Sequence, residues 1–256
     1  IRHGRTCDAQ NVAQAMQEKG LTVASIHQFM LENHPCVDGE KNCAYFRCAQ
    51  EPSNSFGRFE ILKDLAMGRP VRTGDIVVQY PELPDFTALY VDDIDALGHN
   101  QNYGPYPRRS LLAERQNDID ERLESIQLQL EEFVDICKSR GFFDDLIILV
   151  TTDHGMTPFW GPSDLPDFMS RLERAGLKTD IPENRTAQTK LVAVIHDMEL
   201  CLYALAPLCR CEVEALYDVC EKAEYVERVF DKAEMELHYG LDSRGPKSII
   251  APIPIK

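Results

Sequence analysis

Hydrophobic positions recur at helical spacing from residue 119 to 137, and continuous apolar runs flank that stretch on both sides. Ile119, Leu123, Ile126, Leu130, Phe133 and Cys137 advance by four, three, four, three and four residues, the stripe of one long amphipathic helix. Acidic side chains crowd its other faces, and Gly141 is placed to stop it. Such a stripe would also serve as a coiled-coil seam. Before it, Phe86 to Val91 reads as a buried strand introduced by Pro81 and Pro84; after it, Leu146 to Thr152 reads as another. Strand, helix and strand in that order predict a βαβ unit with the two strands parallel.

The flanking pattern adds elements of the same two kinds. Val12, Ala13 and Met16 predict a helix ended by Gly20, and Leu21 to Phe29 is β-compatible. Residues 35–56, rich in Asn, Ser, Gly and Cys, read as loop. Phe59 to Met67 predicts a second amphipathic helix closed by Gly68-Arg69-Pro70. Farther on, a helix is expected over Asp167 to Ala175, strands over Lys190 to Ile195 and Leu200 to Leu205, and a helix over Glu212 to Glu221. Tyr225 to Phe230 and Ser248 to Ile253 complete the β-compatible runs. The class is α/β, with no repeat and no evident internal boundary, so a single domain is expected.

Composition narrows the partners. Forty-four per cent of the 256 residues are hydrophobic, enough for a sizeable core. Asp and Glu outnumber Lys and Arg by 42 to 27, a formal charge of −15 that repels duplex nucleic acid at long range. Two divalent cations would reverse that field inside a cleft and admit a small anionic substrate. No run approaches the roughly 18 apolar residues of a membrane-spanning helix. The opening at Ile1 reads as a cut in a longer chain. Nine cysteines without Cys-x-x-Cys spacing argue against a structural zinc knuckle. Cys36, Cys43 and Cys48, in a turn-rich stretch, suit disulfides in an oxidising compartment, while reduced buried thiols are the alternative. The single sequon Asn184-Arg185-Thr186 adds little; the compartment stays open, with an extracellular or cell-surface setting slightly favoured and a cytoplasmic one the alternative.

Chemistry gathers where the apolar runs end. Asp95-Ala96-Leu97-Gly98-His99 follows the first strand, and Asp153-His154-Gly155-Met156 follows the second. Carboxylate with imidazole is zinc-ligand chemistry. Parallel strands carry their carboxyl ends to one sheet edge, where open α/β folds bind ligands. The expectation is therefore one binuclear site built from Asp95, His99, Asp153 and His154. A capping aspartate with a solvated histidine is the plainer reading of either signature alone.

Pro84-Asp85-Phe86-Thr87-Ala88-Leu89-Tyr90, Asp95 to His99 with Gly104-Pro105, and Thr152 to Met156 resemble the metal motifs of the nucleotide pyrophosphatase/phosphodiesterase group of the alkaline phosphatase superfamily. The likeness is good from Pro84 to Met156 and faint around Lys232 to Ile253, where His238-Tyr239-Gly240 and Arg244 stand. It implies a three-layer α/β/α sandwich on a mixed, mostly parallel sheet, incomplete here at both ends. It also implies two zinc ions (manganese also suits such ligands), Asp95 and His99 on one, Asp153 and His154 on the other. Tyr90 would line the substrate pocket. The implied activity is hydrolysis of phosphodiester or nucleotide pyrophosphate bonds through a covalent phospho-enzyme.

Three departures qualify the likeness. Asn100-Gln101-Asn102-Tyr103 lengthens the gap between His99 and Gly104. Ser53, Ser55 and Thr73 lie in expected loops without the family's nucleophile context, so the nucleophile and one aspartate ligand would precede Ile1. The last histidine ligand would follow residue 256, since His238 aligns with the upstream segment and His196 reads as a strand-end residue. The fragment alone is thus expected to bind metal poorly and to catalyse nothing. Phosphoglycerate mutase-like, sulfatase-like or phosphoethanolamine transferase-like members of the superfamily share both short signatures. A non-catalytic metal-binding domain is the reading from a different class.

Overall fold

A computed structural model describes residues 9–48, 55–157, 163–196 and 199–239. Packing divides the chain into two compact units, Ile1–Met156 and Thr157–Lys256. The first is organised by a three-stranded parallel sheet in the order β2-β1-β5, with β1 Val23–Ile26, β2 Cys43–Phe46 and β5 Phe86–Leu89. Ile26 stands opposite Phe46 on one side and Leu89 on the other. Asp85 locks the start of this ladder by accepting from the Thr22 amide at 2.8 Å and the Thr22 hydroxyl at 2.7 Å.

Two-residue alternation along the strands covers both faces of the sheet. Ala24, Ile26, Ala44 and Phe46 pack with Phe59, Leu62 and Leu65 of helix α2 (Ser55–Ala66) and with Phe133 and Cys137 of helix α4 (Leu112–Arg140). Val23, Cys43 and Tyr45 point the other way, onto Ala13 of helix α1 (Val12–Glu18), Leu31 and Cys36. Val71–Thr73 (β3) and Ile76–Val78 (β4) form an antiparallel hairpin whose turn needs Gly74 at φ +54°. Helix α4 ends at Gly141, left-handed at φ +79°, whose amide returns to the carbonyls of Cys137 and Lys138. Buried Lys63 of α2 ties the two helices by reaching Gln129 at 3.1 Å and Glu132 at 2.7 Å.

Several expectations are corrected here. Cys43 to Phe46 is a strand inside the stretch read as loop, and Ser55 and Thr73 belong to α2 and β3. The long helix forms, but Leu123 of its stripe is half exposed while Asp118 and Arg122 are buried. Leu146–Val150 forms no strand. Its Ile147, Leu149 and Val150 are 93%, 84% and 77% exposed, so the βαβ unit linking it to β5 is not formed. The physical reason is pairing. Among the described residues β5 pairs with β1 on one edge only, and no strand takes the 146–150 backbone into a ladder.

The second unit holds β6 (Thr179–Asp180), β7 (Leu191–His196) and β8 (Glu199–Ala204), with β7 parallel to β6 and antiparallel to β8. Leu191, Ala193, Leu200 and Leu202 pack against Phe168 and Leu172 of α5 (Leu165–Arg174) and Leu216, Val219 and Cys220 of α6 (Arg210–Glu221). Tyr225 to Phe230 takes turn and irregular structure rather than a strand, followed by α7 (Lys232–Tyr239). Ser248 to Ile253 and Ser53 lie outside the described residues. Among the described residues no helix is long and apolar enough to cross a membrane.

Glu212 fastens α6 to the sheet. Its carboxylate accepts from Lys190 Nζ at 2.6 Å and from the Cys209 amide at 2.9 Å. The lysine contact, then the bonds from Cys209, lower its pKa to about 2. A carboxyl depressed on folding stabilises fully above its unfolded pKa, here near 4.5, and loses that contribution as pH falls toward 2. Glu212→Gln should therefore unfold more easily at neutral pH. Urea melts at stepped pH should show its deficit against the parent shrinking between those two values.

Candidate functional site

The site begins at the carboxyl edge of the parallel sheet. Strand β1 ends into His27, held at φ +57°, and the chain then turns so that Phe29 meets Tyr90 edge-on at 5.2 Å. Tyr90 follows β5 directly, its amide donating to the Ile26 carbonyl at 3.1 Å. The two strand ends thus share one edge, as parallel pairing requires. Burial, then the carboxylates of Asp92, Asp153 and Asp95, raise the Tyr90 hydroxyl above its usual pKa. Burial first, and then Arg58, lower the His27 imidazole below its usual value.

Beyond Tyr90 a short helix, α3 (Asp93–Gly98), carries the first signature. Two buried arginines fix its entry. Arg58 of α2 donates to the Tyr90 carbonyl at 2.8 Å and to Asp92 at 3.0 Å, and its guanidinium lies 5.8 Å from the Tyr90 ring centroid. Arg122 of α4 pairs with Asp93, a fully buried carboxylate. Asp93 also accepts from the Ser55 hydroxyl at 2.7 Å, the Ser55 amide at 3.2 Å and the Tyr103 hydroxyl at 2.8 Å. A buried carboxylate is tolerable only when so satisfied. Burial and the Asp93 bond hold the Tyr103 hydroxyl far above its normal range.

Residues 100–103 form an ordered loop after α3. Asn100, at φ +55°, closes the loop through both amide ends, donating to the Arg109 carbonyl at 2.9 Å and accepting from the Arg109 amide at 2.8 Å. The loop then delivers Tyr103 back onto Asp93.

Asp95 lies on α3 and His99 caps it, with Asp95 Oδ1 and His99 Nε2 3.4 Å apart and both side chains half exposed. Asp153 and His154 sit in an exposed irregular segment, Oδ2 to Nε2 3.6 Å. Donors on one tetrahedral zinc with bonds of about 2.1 Å stand roughly 3.4 Å apart, so each pair has the spacing of a half-site. His154 Nδ1 faces the Gly155 carbonyl at 3.0 Å, while its Nε2 is the ring nitrogen nearer Asp153. Each pair supplies two donors. Among the described residues no three His, Cys, Asp or Glu side chains gather closely enough to enclose a metal.

The two signatures approach each other through Gly98. A β-carbon built there would lie 2.3 Å from Met156 Sδ, so the missing side chain is the space that Met156 fills. Glycine between Asp95 and His99 thus admits the last residue of the second signature.

A family model described as type I phosphodiesterase / nucleotide pyrophosphatase matches residues 45–241, which include both signatures. The chain belongs to that family. No curated protein and no solved structure matches it significantly. The type I phosphodiesterase match starts within β2, runs through α7, and leaves α1, β1, His27 and Phe29 outside.

Other residues named from the sequence fall elsewhere. Ser55 is fully buried against Asp93, and Thr73 is buried, donating to the Tyr45 carbonyl at 2.6 Å. Neither is an exposed nucleophile. His238 is exposed on α7 in the second unit, and the side chain of His196 lies outside the described residues. Sequence reasoning passed over Arg58, Asp93, Tyr103 and Arg122. The available signal was Arg122 itself, a cation on a predominantly acidic helix beside its apolar stripe.

Removing one partner of a buried ion pair leaves the other charge uncompensated. Arg122→Leu should therefore cost roughly 3–5 kcal/mol in denaturant unfolding. Substituting exposed Arg210, which pairs on the surface with Glu214, should change stability by less than about 1 kcal/mol.

Proposed function

We propose that this chain is part of a metal-dependent hydrolase that cleaves phosphodiester or nucleotide pyrophosphate bonds of a small phosphate ester through a covalent phospho-enzyme. The observation that carries the reading is the seating of Met156 in the space left by Gly98, which brings the Asp95–His99 and Asp153–His154 segments side by side. Family membership supports the reaction class.

In this reading Asp95 and His99 hold one divalent ion and Asp153 and His154 a second. Zinc is the first choice, and manganese also suits the donors. When bound, such ions neutralise charge on phosphoryl oxygens. The chain's own residues orient and enclose. Tyr90, backed by Phe29 and Arg58, offers an aromatic wall to the leaving or retained group of the ester. Asp93 and Arg122 hold α3 so that Asp95 and His99 keep one geometry.

The α/β/α layering belongs to the same proposal. Ile147, Ile148, Leu149 and Val150 form an apolar run with exposed side chains, and among the described residues β5 pairs on one edge only. A further strand between them would extend the parallel sheet and bury that run. Ser55 and Thr73 are already committed to buried bonds, so neither is proposed as the nucleophile.

Two measurements test this. Calorimetric titration of zinc into the chain should give weak binding, further weakened by Asp95→Asn and by Asp153→Asn. Two tight sites in the isolated chain would contradict the proposed incompleteness. The full-length parent should hydrolyse a phosphodiester faster than the matching monoester or sulfate ester. A preference for either of those would move the enzyme to another branch of the superfamily.

A further inference from the structure

We infer that Cys36 and Cys43 form a disulfide that braces the turn carrying Phe29 against Tyr90. Their sulfurs are 3.4 Å apart, and both side chains are buried among Ala13, Val23, Leu31 and Tyr45. A disulfide needs about 2.05 Å between sulfurs, so about 1.4 Å of closure is required, within the reach of small side-chain rotations.

The backbone is already arranged for it. Cys36 lies directly before Val37, whose amide donates to the Cys43 carbonyl at 3.0 Å and whose carbonyl accepts from the Tyr45 amide at 3.1 Å. On the other side, the Cys36 amide donates to the Leu31 carbonyl at 2.9 Å, and the Cys36 carbonyl accepts from the Asn33 amide at 2.6 Å. Leu31 ends the short 3-10 turn that opens at Phe29. A bond from Cys36 to Cys43 therefore ties that turn to the first residue of β2, in the middle of a core. Cys48, the third cysteine of the early group, is set apart, its sulfur against Gly57.

The chemistry balances as an exchange. Two protein thiols and one small-molecule disulfide of the glutathione class give the protein disulfide and two small thiols. The sulfurs of Cys36 and Cys43 lose two electrons to the reagent, and their protons pass to the released thiols. Burial raises the pKa of both thiols, so exchange is slow in the folded chain and the bond forms while this segment is still open.

Trypsin cuts after Lys41, which places the two cysteines in different peptides. The whole chain is refolded with a glutathione thiol/disulfide mixture, alkylated and digested without reduction. The expected product is one linked pair, two hydrogens lighter than its separate peptides, and alkylation of Cys36 and Cys43 only after reduction. Reduction should also lower the melting temperature by roughly 5 °C in the parent and leave a Cys36→Ala, Cys43→Ala double variant unmoved. Free alkylation of both thiols before reduction, or linkage of either one to Cys48, would overturn the inference. So would an equal melting shift in the double variant.

Discussion

One buried carboxylate holds the candidate site together. Asp93 stands at the start of α3, out of water, and is neutralised by Arg122 from α4 while Ser55 and Tyr103 satisfy its remaining lone pairs. Four separate segments meet on it: α2, α3, the loop after α3 and α4. Their convergence fixes where Asp95 and His99 point, and it does so with directional bonds rather than with apolar packing alone. Burying the pair costs desolvation, so its value lies in specifying one arrangement. Arg58 extends the same logic to Tyr90 through the strand-end carbonyl and Asp92.

This constraint sets which side chains the edge of the small parallel sheet presents. Parallel pairing of β1 with β5 brings His27 and Tyr90 to one rim, and α3 follows at once. The second signature joins from the far end of α4, and its Met156 fits against Gly98. The result is a carboxylate- and imidazole-bearing surface beside an aromatic wall, in a chain of the type I phosphodiesterase / nucleotide pyrophosphatase family.

Much of this was legible in the residues. The spacing from Ile119 to Cys137 with Gly141 beyond it described α4, and Phe86 to Val91 described β5, because periodicity and caps are local signals. β2 was hidden because Cys-Ala-Tyr-Phe is a short run between polar turns, and only its partner β1 makes it a strand. Leu146 to Val150 fails in the opposite sense. Its composition is that of a strand, yet a strand exists only when its backbone finds an edge to bond. The Asp-x-x-x-His and Asp-His-Gly signatures are legible as short local patterns, and they meet where Met156 packs against Gly98. The bolt beneath them was missed because Arg122 and Asp93 are 29 residues apart and nothing local connects them.

The account rests on the two signatures lying side by side. Nuclear Overhauser spectra of the chain carrying labelled methionine methyl groups and labelled glycine address that contact directly. A cross-peak from the Met156 methyl to the Gly98 α-protons is expected, and it should vanish in Gly98→Ala as the new methyl displaces the sulfur. A Met156 methyl that contacts only solvent, with no cross-peak to Gly98, would contradict the account.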